Sequence, residues 1–239
     1  PFDLFYKNSL YQTLYYPAEM GNFIGQITGL RLYANIVSTD IPAALPFKVW
    51  MGTTTQADLS AAWIPSTELT LVFDGTLDFP AGEQTVMLPF STPYLYLNGE
   101  NLVVMFNRPM DTDYYSSSDQ FKVQTVGTNR ARNVYNDTTV LDPAAPTGGS
   151  TTGQFPKTTF TVIPGGVGDI MGTVTAAGGT LLEGVSVELV DAGYNTTTNA
   201  QGQYSLLNVL PANYTISFSK YGYVTYTQAI TLAEDQELT

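Results

Sequence analysis

Hydrophobic and polar positions alternate with a period of two along most of this chain. Leu30, Leu32, Ala34 and Ile36 alternate with Arg31, Tyr33 and Asn35, while Phe47, Val49 and Met51 flank Lys48 and Trp50. Leu69, Leu71 and Phe73 interleave with Thr70, Val72 and Asp74; Leu102, Val104 and Phe106 share one face, with Asn101 and Asn107 opposite. Phe121 and Val123 alternate with Lys122 and Gln124, and Phe160 and Val162 close the series. Successive strand side chains point to opposite faces, so each run predicts a half-buried strand.

Turn-forming residues separate the runs: Asp74-Gly75, Pro80-Ala81-Gly82, Pro93 and Asn98-Gly99. Seven or more strands at this spacing predict an antiparallel sandwich of jelly-roll type over residues 1–165. One helical turn or two is expected around Gln56–Ala62, ended by Pro65. The stretch Asp142–Lys157, rich in Pro, Gly, Ser and Thr, reads as a long irregular loop. Ile163 to Gly168 interrupts two strand patterns with Pro and three Gly, and reads as a hinge between domains.

Alternation then resumes. Val185, Val187 and Leu189 form one run, and Tyr214, Ile216 and Phe218 a second. Val224, Tyr226, Ile230 and Leu232 line one face of the last. Residues 166–239 therefore read as a second, smaller sandwich, which makes the fold class all-β: two tandem antiparallel β-sandwiches.

The second region carries Gly172-Thr173-Val174, then Leu182-Glu183-Gly184 leading into Val185–Leu189. Thr198-Asn199-Ala200-Gln201-Gly202 follows, then Leu210-Pro211 and Lys220-Tyr221-Gly222-Tyr223. In this order it resembles the carboxypeptidase regulatory-like family, which implies a transthyretin-like (Ig-like) sandwich. The family's usual Asp in the Thr-Asp-x-x-Gly turn is Asn199 here, and the Gly usual after Leu-Pro is Asn213. Family members commonly add a short strand after the acidic turn matching Glu234–Glu237, whereas this chain stops at Leu238-Thr239. It is thus expected to be a fragment or to leave an edge open. The first region resembles a module of large secreted or surface proteins of the Bacteroidetes and related anaerobic phyla. The residues carrying this are Tyr6–Leu10, Val49-Trp50-Met51-Gly52, Trp63-Ile64-Pro65, Leu71–Gly75 and Asn101–Arg108. That resemblance implies an extracellular or cell-surface setting.

Composition narrows the chemistry. The 239 residues include no His and no Cys, which removes Ser-His-Asp and Cys-His nucleophiles, His-ligated zinc, thiolate clusters and disulfides. Net charge is −12, with fourteen acids against eight bases in 1–165 and seven against one in 166–239. No basic footprint for nucleic acid exists, nor one for an anionic membrane surface. No run approaches the roughly 18 apolar residues of a membrane span. Pro1-Phe2-Asp3 is no signal peptide, and the missing Met reads as a processed or excised chain.

Two constellations remain. Asp111, Asp113 and Asp119 offer hard oxygen ligands, so a cation, calcium by preference, is expected here if anywhere, although the EF-hand Gly and closing Glu are absent. The aromatics Tyr6, Tyr11, Tyr15, Tyr16, Trp50, Trp63, Tyr94, Tyr96, Tyr114 and Tyr115 exceed what two small cores need. They are expected at a protein interface or a sugar site, against the alternative that Tyr is simply a good strand residue. No acidic pair stands out as a catalytic dyad. The expectation is a non-catalytic structural module, without cofactor, that associates with itself or other surface proteins through sheet edges and Tyr-rich faces. The alternative is a carbohydrate-binding accessory module of a secreted hydrolase.

Overall fold

A computed structural model describes residues 1–21, 23–97 and 99–239; Asn98 of the expected Asn98-Gly99 turn lies outside the described residues. The protein is all-β and divides into two compact units, Pro1–Ile163 and Pro164–Thr239.

The first unit holds β1 (Asn8–Tyr15), β2 (Gly25–Ile36), β3 (Leu45–Thr54), β4 (Thr70–Leu77), β5 (Gly82–Tyr96) and β6 (Asn101–Arg108). After these come β7 (Gln120–Phe121), β8 (Val123–Thr125), β9 (Ala131–Asn136), β10 (Ser150–Thr152), β11 (Gln154–Pro156) and β12 (Thr158–Pro164). One sheet runs β10-β9-β1-β6-β3-β4; the other runs β12-β2-β5 with β7 also on β2, and β11-β8 forms a separate ribbon. The two larger sheets meet in a single core. Leu30, Leu32 and Ala34 of β2 pack with Phe47 and Val49 of β3 and Val104 and Phe106 of β6, as the alternation predicts.

Two expected faces differ. β4 carries a bulge: Val49 pairs with Phe73 but Trp50 with Leu71, which leaves Val72 as the extra residue. The bulge reverses the alternation, so Val72 and Phe73 are both buried while Leu71 turns outward. β6 is buried on both faces, Asn107 included. Its inner side meets the core, and its outer Val103 and Met105 lie under Leu59, Trp63 and Ile64 of the β3–β4 connection.

That connection is not the expected helix. Gln56–Ala62 is irregular, and the one helical turn is a 3-10 turn at Ser66–Glu68, after Pro65 rather than before it. The backbone of the segment bonds elsewhere. Leu59 donates to the Asn129 carbonyl, while the carbonyls of Gln56 and Ala57 accept from Asn101 Nδ2 and Tyr16 Oη. The expected Asp142–Lys157 loop is likewise shortened, because β10 pairs with β9 and β11 with β8.

The second unit contains β13 (Gly168–Thr173), β14 (Ser186–Leu189), β15 (Asn195–Thr197), β16 (Gln203–Val209), β17 (Ala212–Ser219), β18 (Tyr226–Leu232) and β19 (Glu237–Leu238). Sheets β16-β13-β19 and β15-β14-β17-β18 enclose Ile170, Val187, Leu189, Leu206, Val209, Ile216 and Leu232. The stretch after the acidic turn does pair, with β19 parallel to β13 through Asp169↔Glu237 and Ile170↔Leu238. Val224 does not share a face with Leu232. β18 begins only at the Phe218↔Tyr226 pair, so Val224 precedes the ladder and is 95% exposed.

Candidate functional site

The family motifs of the second unit have structural uses. Asn199 Oδ1 accepts the N–H groups of Gln201 and Gln203, the part a carboxylate would play in this turn. Gly202 closes the turn at φ +68°, where an added Cβ would stand 2.7 Å from the Val174 carbonyl oxygen. Thr198 Oγ1 accepts from the Val185 N–H and donates to the Leu182 carbonyl, tying the turn to β14. Gly172 lets the Tyr204 ring lie against the backbone, since a Cβ there would meet it at 2.8 Å.

In the first unit, the three aspartates serve the fold, Asp111 and Asp113 beside Arg108 and Asp119 apart from them. Arg108 is buried and donates to the carbonyls of Asp3, Leu4 and Tyr6 and to that of Asp113 (3.1 Å), with Asp111 as its carboxylate partner at 2.9 Å. Burial alone would raise the Asp111 pKa, but the Arg108 guanidinium and the N–H groups of Asp113 and Thr112 outweigh it and hold the carboxyl below its usual range. Asp119 is buried too; its oxygens accept from the N–H groups of Val37 and Ser38 and from the Ser38 hydroxyl. Asp113 is exposed and accepts from the Thr112 hydroxyl. Among the described residues, no three carboxylates are placed to hold a metal ion.

Several of the aromatics expected at the surface are interior. Tyr15 and Tyr96 are buried: Tyr15 Oη reaches Thr158 Oγ1 at 2.7 Å, and its ring meets Phe155 and Phe160 edge-on. Burial pushes its phenol upward in pKa. Trp63 roofs Leu10 and Met105 with its indole N–H on the Gly148 carbonyl, and Trp50 packs partly buried against the same cluster. Tyr115 lies buried beneath Arg108. Tyr94 packs partly buried on the core. Tyr16 stacks on Arg130 at 3.9 Å, where buried Arg130 also binds Glu19 through both carboxylate oxygens. Amphipathic rings in a β fold span core and water, which is why so many go inside.

The rest gather. Tyr6 stacks on Tyr135 with centroids 3.9 Å apart, Phe5 meets Tyr6 edge-on at 5.1 Å, and Tyr114 lies 6.2 Å from Phe5. Phe5, Tyr114 and Tyr135 are exposed. Beside them opens a cleft of about 560 Å³ whose lining includes Phe5, Tyr11, Gln120, Asn133, Tyr135 and Gln154. Strand register explains its position. Val49, Phe106, Tyr11 and Asn133 form one row across β3, β6, β1 and β9. Residues directly opposite share a face, so Tyr11 and Asn133 continue the row of core residues. Yet Val49 and Phe106 are buried, whereas Tyr11 and Asn133 are only half-buried. The row thus runs out of the core into the cleft. Tyr11 Oη donates to the Gln154 carbonyl of β11 at 2.6 Å and bridges the floor. Phe5, Tyr135 and the amides were not singled out by sequence, because β1 and β9 lie over a hundred residues apart and only their pairing exposes the row.

Among the described residues, no helix is long and apolar enough to cross a membrane. No curated protein matches the chain. Among solved structures it aligns over 100% of its length with the major pilin subunit of Bacillus cereus, at 9% identity and TM-score 0.24, spanning 65% of that chain. It aligns over 97% with the pilus 2b backbone protein of group B streptococcus (13% identity, TM-score 0.23, 87% of that chain). The pilus adhesin of Streptococcus pneumoniae is similar over 97% (11% identity, TM-score 0.21, 28% of that chain). Such scores carry no argument about fold or role. The second unit is different: residues 169–239 match the carboxypeptidase regulatory-like domain, in agreement with the turn, glycine and edge-strand features described above.

Proposed function

We propose that this chain is a non-catalytic module of a bacterial extracellular or cell-surface protein, and that it associates with further copies of itself through an exposed sheet edge. The setting is the one its first region resembles, the secreted and surface proteins of the Bacteroidetes and related phyla. The observation that carries this reading lies at β18. Among the described residues this strand pairs with β17 on one side only; Tyr226 in it and Tyr221, Tyr223 and Val224 before it are all more than half exposed. Exposed edges are usually blunted by charge, Pro or a bulge, and none of the residues Tyr226–Leu232 is charged or Pro. An edge of this kind supplies backbone bonds to an added strand, with neighbouring apolar side chains supplying the buried area. The non-catalytic part draws support from the acids themselves: Asp111, Asp119, Glu19 and Asp78 are each engaged with an arginine or with backbone N–H groups.

Light scattering across protein concentration, with negative-stain microscopy, tests the proposal. Ordered oligomers or filaments are expected for the wild type, and Val224→Asp together with Tyr226→Asp should return the protein to monomer. A wild type that stays monomeric at high concentration, or assembly unchanged in the double variant, overturns it.

A further inference from the structure

We infer that the cleft at the β1–β9 margin of the first unit binds a neutral glycan. Three observations lead there. First, the cleft combines ring faces with amides. Phe5, Tyr11 and Tyr135 share its lining with Gln120, Asn133 and Gln154, whose amide side chains make no hydrogen bond among the described residues. A free amide both donates and accepts, as a sugar hydroxyl does, and so suits a ligand rich in hydroxyl groups.

Second, no lysine or arginine lines the cleft, in a protein of net charge −12. An anionic ligand would meet the carboxylates of Asp3 and Asp119 in that lining and no basic side chain, and would be repelled by the molecule's net charge. A neutral polyhydroxylated ring suffers neither penalty. Its apolar C–H face can lie on the negative face of an aromatic ring, while its equatorial hydroxyls point to the amides.

Third, the rings are held in place. Tyr6 backs Tyr135 by stacking, the Tyr11 hydroxyl is tied to the Gln154 carbonyl, and Arg108 clamps the carbonyls of Leu4 and Tyr6 on either side of Phe5. A platform already ordered loses little freedom when a ligand lands on it. The volume of about 560 Å³ falls in the usual range of small-ligand sites.

This inference is independent of self-association through β18, and its test uses the Val224→Asp/Tyr226→Asp variant so that assembly cannot mimic retention. The protein is run in native gels containing soluble mixed-linkage β-glucan, xyloglucan, galactomannan or dextran, with alginate as the anionic comparison. Retardation by at least one neutral polymer and none by alginate is expected. Tyr135→Ala should weaken retention about tenfold or more, as for an aromatic anchor. Asn133→Ala and Gln154→Ala, which break no side-chain hydrogen bond among the described residues, should each weaken it by a smaller factor with little change in melting temperature. Tyr135→Phe, which keeps the ring, should retain most of the binding. No retardation by any neutral polymer, retardation by alginate alone, or neutral-polymer binding unmoved by Asn133→Ala and Tyr135→Ala combined would overturn the inference.

Discussion

Two buried guanidinium groups organise the loops of the first unit. Arg108 gathers the carbonyls of the segment before β1, and Arg130 pins the Glu19 loop after it while donating to the Leu14 carbonyl. Each has one carboxylate partner that is only partly exposed. Replacing Asp111 with Asn keeps the shape but leaves the Arg108 charge uncompensated, and should destabilise the protein by about 2 kcal/mol in chemical denaturation. The pH dependence follows from the depressed carboxyl. Its folded pKa lies below its unfolded value, so the stabilisation is complete above about pH 4 and disappears as pH falls through the folded value. The stability gap between wild type and Asp111→Asn should therefore hold above about pH 4 and narrow steadily as the pH is lowered below it. A gap unchanged over that range would remove Asp111 as the source. Sequence spacing made the Asp111, Asp113 and Asp119 group visible but not its use. Most of the donors that claim Asp119, on Val37 and Ser38, lie about eighty residues earlier in the chain, and an arginine at a strand end carries no mark that it will be buried.

Among the elements, strands with one wet face were readable. Leu30 to Ile36 of β2 and Val185 to Leu189 of the second unit alternate as written, because each has one neighbour sheet and one solvent side. Where a third layer intervenes, pattern fails. β6 is apolar on both faces from Leu102 to Phe106, where the β3–β4 connection covers its far side, and Trp63 is the largest part of that cover. Trp63→Ala should lower stability by about 3–5 kcal/mol, measured by denaturant unfolding, through the lost packing over Leu10 and Met105. A loss below about 1 kcal/mol would mean that the outer face of β6 is not a true second core. The bulge at Val72 escaped for another reason: an extra residue shifts register only relative to its partner, which a single strand does not show. In the second unit the motif turn was legible as a motif, and its physical demand is now plain. Gly202→Ala combines a left-handed backbone with a clash on Val174, and should destabilise by about 1–3 kcal/mol.

At the scale of the whole molecule, charge and topology set behaviour. A net charge of −12 makes any two copies repel, against the contact proposed at Tyr221–Tyr226. Self-association should therefore strengthen as salt is raised from about 0.05 M to about 0.5 M, where screening shortens the reach of the repulsion. Sedimentation at several ionic strengths reads this directly, and weaker assembly at high salt would point to ion pairs as the contact instead. The strand order has its own result. β1 lies between β6 and β9, with Leu10 paired to Asn107 on one side and Val134 on the other. Both partners of β1 lie far along the chain, β6 nearly a hundred residues on and β9 further still. Such long-range closure makes for slow folding, and until β6 and β9 arrive the apolar face and both edges of β1 stand exposed to wrong partners.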